Sequence, residues 1–172
     1  MLDGKAHPHS FVRDGEDKRT VEARIERTFK ADGDKAVNFS IRSGMQGLTV
    51  LKSTGSAFHG FVRDEYTTLP ETWDRVLSTD VDCTWAWTAW NDIDHVAKAA
   101  TEGRFDDASS CARDITLRLF AEDDSASVQA TMYKMGDAIL AGVPEIQSVV
   151  YTLPNKHYFE IGTYKIFMSI HI

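Results

Sequence analysis

Hydropathy in this chain alternates with a period of two toward both ends and with a period of three to four only in between. That segregation limits the available folds more than any other feature. Val21, Ala23, Ile25 and Phe29 alternate with Glu22, Arg24, Glu26 and Thr28, the pattern of a strand with one wet face. Lys30-Ala31-Asp32-Gly33-Asp34 supplies turn residues, after which Val37, Phe39 and Ile41 alternate again and predict an antiparallel partner. A third β-rich run spans 48–52 and is followed by the small polar loop Ser53-Thr54-Gly55-Ser56. Residues 70–77, opening on Pro70 and Glu71, predict a short helix. Val81, Cys83, Trp85 and Trp87 then alternate with polar or small neighbours, loading one strand face with indole surface that must be covered.

The period changes at Phe105. Phe105, Ala108, Ala112, Ile115 and Leu119 recur every three or four residues, which predicts an amphipathic helix up to Phe120. A second helix follows, with Asp124, Ser125 and Ser127 as candidate N-caps, a stripe of Val128, Met132, Met135 and Ile139, and Gly142 and Pro144 at its end. Strands are expected again over 146–153 and 157–161. Strands and helices in blocks imply an α+β architecture, a ββααββ antiparallel sheet with two helices packed on one face.

A length of 172 residues fits one domain. The 19 basic against 26 acidic side chains give a net charge of −7, and no basic run occurs, so nucleic acid is not an expected partner. No window has the roughly 18 apolar residues of a membrane span, so no membrane association is expected either. Cys83 and Cys111 lack the spacing of a zinc or redox motif and read as buried thiols. With no apolar leader after Met1, an intracellular, reducing compartment is expected.

No nucleophile elbow, phosphate-binding loop or dinucleotide fingerprint is present. His7 and His9 flank Pro8, but two histidines without a third ligand read more simply as solvated than as a metal site. The remaining candidates are modest individually. Phe58, among small residues, could stack on a flat ligand or serve as core. Arg75 could grip a planar anion through its fork of donors or join a surface ion pair. Gln129 stands in the first turn of the second helix, where free backbone N–H groups favour an anion or cap the helix. Asn155 and His157, two apart at a strand start, share a face and suit proton transfer, while Asn155 after Pro154 could simply make a turn.

Four stretches carry a resemblance. Leu48-Thr49-Val50-Leu51-Lys52-Ser53-Thr54, the run Gly60-Phe61-Val62-Arg63-Asp64-Glu65-Tyr66-Thr67-Thr68-Leu69, the segment Ser125-Ala126-Ser127-Val128-Gln129-Ala130-Thr131-Met132-Tyr133, and Asn155-Lys156-His157-Tyr158-Phe159 resemble the signature segments of urate oxidase, or uricase. The likeness runs from about Asp3 to Ile161 and matches the C-terminal half of a family member. It implies the tunnelling fold (T-fold), built from ββααββ units assembled as a homotetramer. It also implies oxidation of urate by molecular oxygen to 5-hydroxyisourate and hydrogen peroxide, without metal or organic cofactor. By position, Phe58 would stack on the purine, Arg75 would clamp one edge, and Gln129 with the Val128 backbone N–H would hold the other. Asn155 would cap the place of oxygen or water, and His157 would belong to the proton relay.

Leu2 to Arg19 mixes charge and Pro8 without periodicity and reads as an extended arm or loop, 1–19; the resemblance implies one T-fold domain over 20–161 and a divergent tail over 162–172. A lysine and a threonine from the family's N-terminal half would complete the site across a subunit interface. The family points to the peroxisome, although the chain ends in Ser169-Ile170-His171-Ile172 without a Ser-Lys-Leu address; a cytoplasmic place is the other expectation. Two rival readings accompany the enzyme: a purine-binding module that does not turn urate over, and a non-functional fragment that associates through its apolar tail.

Overall fold

The computed structural model describes residues 7–13, 15, 17–29, 35–88, 90 and 93–156. Six strands, β1 (Ser10–Val12), β2 (Lys18–Phe29), β3 (Lys35–Lys52), β4 (Leu77–Trp87), β5 (Ile146–Thr152) and β6 (Asn155–Lys156), form one sheet in which every pairing is antiparallel. Three helices, α1 (Ile93–Thr101), α2 (Arg104–Glu122) and α3 (Val128–Gly142), separate β4 from β5. The blocks of strands, helices and strands are the expected ones, with four strands ahead of three helices where the ββααββ reading has two and two. The predicted turn at 30–34, the strand expected at 157–161 and the tail beyond it lie outside the described residues.

The sheet is organised around β3, with β4 along one side and β1 and β2 in succession along the other. The runs read as two strands, near Ile41 and from Leu48, are one strand interrupted by a bulge. Met45 pairs with Cys83 and Leu48 with Val81, so β3 carries one residue more than β4 between them. Gly47 adopts φ 73°, the left-handed conformation that suits glycine at a bulge, and its N–H donates to Asp82 Oδ1 at 2.8 Å. The extra residue resets the parity: Ile41, Ser43 and Met45 are buried before it, and Leu48, Val50 and Lys52 after it. Both sets belong to one inner face.

On β4 the buried positions Leu77, Thr79, Val81, Cys83, Trp85 and Trp87 alternate as the sequence predicts. The indole face is covered: Trp87 meets Phe105 of α2 edge-on at 4.7 Å and donates from Nε1 to the buried Ser43 hydroxyl at 2.9 Å. Ala108, Ala112 and Phe120 of α2 and Ile139 of α3 complete the core. Thr116 Oγ1 contacts the Ala112 carbonyl at 2.7 Å and the Tyr151 hydroxyl at 2.6 Å, tying α2 to β5. Burial raises the Cys83 thiol to about 12, so it is an inert member of this core.

Two expectations are corrected. Residues 70–77 are not helical, because the Thr72 N–H and C=O are engaged by Phe58 at 2.9 and 2.7 Å, which leaves them unavailable to a helix ladder. The apolar side of β2 is not covered either, with Val21 61% and Ile25 66% exposed. Ile25, opposite Phe39, lies where the β2–β3 ribbon runs past Arg42, the last β3 residue that β4 pairs, whereas Val21, opposite Ser43, is exposed beside the β4-paired part of β3.

Gly44 shows how tightly the centre is assembled. A methyl group there would lie 2.7 Å from the Cys83 carbonyl oxygen and 2.9 Å from Thr20 Oγ1. Gly44→Ala is therefore expected to lower unfolding free energy by about 1–3 kcal/mol, read as an earlier urea midpoint with an unchanged slope.

Candidate functional site

The loop after β3 is fastened at three points. Its Ser56 makes a parallel bridge with Ser125, in which the Ala57 N–H donates to the Ser125 carbonyl at 2.7 Å and the Ser125 N–H to the Gly55 carbonyl at 3.1 Å. Phe58 is paired with Thr72. Asp74 gathers the loop itself, accepting from Thr54 Oγ1 at 2.6 Å, from Gly55 N–H at 2.9 Å and from Ser56 N–H at 3.4 Å. Those bonds, led by the one from Thr54, hold the Asp74 carboxyl below its ordinary value.

This knot sets Phe58 beside Arg75. The guanidinium carbon of Arg75 lies 5.3 Å from the Phe58 ring centroid, and the other near ring, Phe61, stacks on Phe58 at 4.6 Å. Arg75 Nε is buried and has no hydrogen-bond partner, as has Ser56 Oγ. A buried donor in that state is costly unless a ligand satisfies it. The alternative surface ion pair with Asp74 is not made, since Asp74 is engaged by the loop.

The Ser56–Ser125 bridge also brings the start of α3 to this loop. Ser127 is the N-cap, its side chain accepting from Ala130 N–H at 3.1 Å, and Ser125 Oγ contacts Thr131 Oγ1 at 2.6 Å and the Ser127 carbonyl at 2.9 Å. With capping done by Ser127, Gln129 is left exposed and Val128 packs partly against the core. Asn155 lies on β6 in register with Thr79, four residues beyond Arg75. His157 lies outside the described residues.

The electrostatic supports were not evident in the sequence. Lys52 is only 2% exposed and donates from Nζ to the Asp123 carbonyl, just before α3. Burial pushes its ammonium below the ordinary lysine value, against the opposing pull of Asp123, Asp124 and Asp74. Asp123 is held in turn by Thr131 Oγ1 at 3.1 Å and by the Lys134 ammonium. At the other border, Asp80 of β4 accepts from Thr49 Oγ1 at 2.6 Å and from Lys156 of β6. The detectable signal for Lys52 was its place after Leu48 and Val50 in an inward-facing alternation; Asp74 and Asp80 offered none.

Other features stay apart from this cluster. His7 and His9 meet edge-on at 4.5 Å, and burial, followed by the charge of His9, lowers the His7 pKa. A hollow of about 440 Å³ between Tyr133, Leu140 and Val149 lies on the outer side of α3 and β5.

Comparison with known proteins bears on this arrangement directly. The family model described as Uricase matches residues 41–169. The chain belongs to the uricase family. It is 56% identical over 160 residues to the uricase of Emericella nidulans and 54% identical over 160 residues to that of Aspergillus flavus, in each case covering 93% of this chain and 50% of the relative. The crystal structure of uricase from Arthrobacter globiformis superposes with a TM-score of 0.63 at 36% identity, covering 88% of this chain and 55% of that one. The chain thus spans about half the length of the curated uricases it matches. Its sheet and helix layer are those of the uricase tunnelling fold. The matched region contains Phe58, Arg75, Val128, Gln129, Asn155 and His157.

The Lys156–Asp80 pair makes the β6 border of this cluster sensitive to acid. The Lys156 hydrogen bond, then that of Thr49, lowers the Asp80 pKa from its ordinary 3.8. A lowered carboxylate pKa contributes stability that is full above 3.8 and disappears as pH falls through the folded-state value. The Asn155 and Lys156 amides are expected to lose exchange protection over that acid range, and Asp80→Asn is expected to remove this pH dependence while leaving β3–β4 amides protected.

Proposed function

We propose that this chain supplies the urate-binding half of a urate oxidase site. The observation that carries the reading is the buried, unpartnered Arg75 Nε, in a guanidinium whose carbon lies 5.3 Å from the Phe58 ring centroid. A flat purine stacked on Phe58 would present an edge to that donor, and a charge-assisted bond there is worth about 1.5–3 kcal/mol. The first turn of α3 offers the opposite edge: the Val128 N–H is one of the donors a helix start leaves free, and the exposed Gln129 amide can both donate and accept.

In this reading the chemistry needs no metal or organic cofactor. Donors at both edges stabilise urate as an electron-rich dianion, which gives two electrons to molecular oxygen; water then adds to the oxidised purine, and the products are 5-hydroxyisourate and hydrogen peroxide. Asn155 holds the oxygen or water above the ring, and His157 takes part in moving the proton. The lysine and threonine that prepare urate come from an N-terminal half that the family reading places across a subunit interface. A homotetramer in the peroxisome is the assembly and address that this reading carries. The exposed Val21, Ile25 and Val37 of the β2–β3 ribbon, together with Tyr66 and Trp73, support association with further polypeptide.

A purine-binding module without turnover is the second reading, favoured by the half-length match. Oxygen uptake decides between them, measured with urate in chelator-containing buffer on the 172-residue chain alone and mixed with a separately expressed uricase N-terminal half. Urate-dependent uptake is expected in the mixture, and Arg75→Ala is expected to weaken urate binding by about 10–100-fold, the equivalent of one charged hydrogen bond. Urate binding with no uptake in either sample would establish the module instead.

A further inference from the structure

We propose that Lys52 is the positioning residue that sets the separation between the two walls of the site, the Phe58 loop and the start of α3. This inference rests on the urate-site reading for its functional consequence, but its structural content stands on Lys52 itself.

Lys52 is the last residue of β3, and the bulge at Gly47 turns it inward. Its ammonium reaches across the sheet end to the Asp123 carbonyl, which closes α2 and leads into α3. The Phe58 loop folds directly over the same side chain: a methyl group on Gly55 would lie 3.1 Å from Lys52 Cε and 3.4 Å from Nζ. Gly55 accepts from Ser125 N–H and gives its own N–H to Asp74. One buried side chain therefore lies under the loop bearing Phe58 and bonds to the α2 C-cap, in the link that leads into α3, whose first turn bears Gln129.

The backbone bridge between those two segments is short. It consists of Ala57 N–H to Ser125 C=O and Ser125 N–H to Gly55 C=O, and a two-bond bridge of this kind opens readily without support from packing or charge. Asp74 cannot substitute for Lys52, because its bonds go to residues 54–56 and to the Arg75 backbone and do not reach α3. Asp123 fastens its carboxylate to Thr131 and Lys134, so its carbonyl is rigidly presented on the helix side. Lys52 is the strut between a loop fixed by Asp74 and a helix start fixed by Asp123.

The test is amide hydrogen exchange on the full 172-residue chain, with urate binding measured by calorimetry on the same samples. Lys52→Met keeps most of the buried stem and removes the ammonium. The Ala57 and Ser125 amides are expected to exchange at least about tenfold faster, while amides of the β3–β4 ladder keep their protection. Urate affinity should fall by at least about tenfold. Lys52→Arg, which keeps a cation and donors, should recover part of both losses, and Ile139→Val, a core change outside the clamp, should leave both readouts at the parent level.

A folded Lys52→Met chain with unchanged Ala57 and Ser125 exchange overturns the proposal, as does faster exchange with unchanged urate affinity. Should Lys52→Met not fold, the unsubstituted chain still decides. Its Lys52 ammonium should give a ¹H–¹⁵N signal protected from water, with a coupling across the bond to the Asp123 carbonyl carbon, and an ammonium exchanging freely with water overturns the inference. Failure of the parent chain to bind urate, with the amide response intact, would instead defeat the urate reading and leave the strut standing.

Discussion

Strand β3 crosses the sheet from end to end, and an unbroken alternation along it would turn Leu48, Val50 and Lys52 away from the face that holds Ile41, Ser43 and Met45. The single extra residue beside Gly47 prevents this. Burying a side chain such as Leu48 or Val50 is worth about 1.5–3 kcal/mol, so the bulge decides whether one continuous apolar face exists for α2 and α3 to cover. Its geometry is secured locally, by the positive φ of Gly47 and by the Asp82 carboxylate that accepts its N–H.

The same change of parity places a lysine in the interior. A buried ammonium is tolerated only when paired and hydrogen-bonded, and here the Asp123 carbonyl and the carboxylates of Asp123, Asp124 and Asp74 supply that environment. The requirement reaches outward: satisfying Lys52 draws together the end of β3, the loop over Gly55 and the entry to α3. Core packing and site geometry are thus two consequences of one irregularity in β3, while Asp80 and Lys156 hold the opposite border at β6.

The fold was largely legible where one periodicity persists. The alternation from Val81 to Trp87 became β4 with its buried indoles, and the repeats from Phe105 and from Val128 became α2 and α3. It was misleading where a long-range contact outweighs local preference. Pro70 and Glu71 suit a helix start, but Thr72 pairs with Phe58, fourteen positions away in the chain, and the segment is not helical. Likewise β3 read as two strands because a bulge interrupts the period without ending the strand. Phe58, Arg75 and Gln129 could be named from residue chemistry and from the uricase resemblance, whereas Lys52, Asp74 and Asp123 act through bonds between distant segments that no local pattern encodes.

By itself the sequence determined which segments are strands or helices by their dominant period, the anionic surface, the positions that match uricase and, through that match, the family. These properties reside in side-chain type and spacing, which survive without knowledge of contacts. Tertiary structure alone decided that β3 is continuous, that residues 70–77 are not helical, that Lys52 lies buried beneath the Gly55 loop, and that Arg75 keeps an unpartnered donor beside Phe58. Each depends on which distant backbone group lies within hydrogen-bonding reach, and only the assembled sheet and helices set those distances.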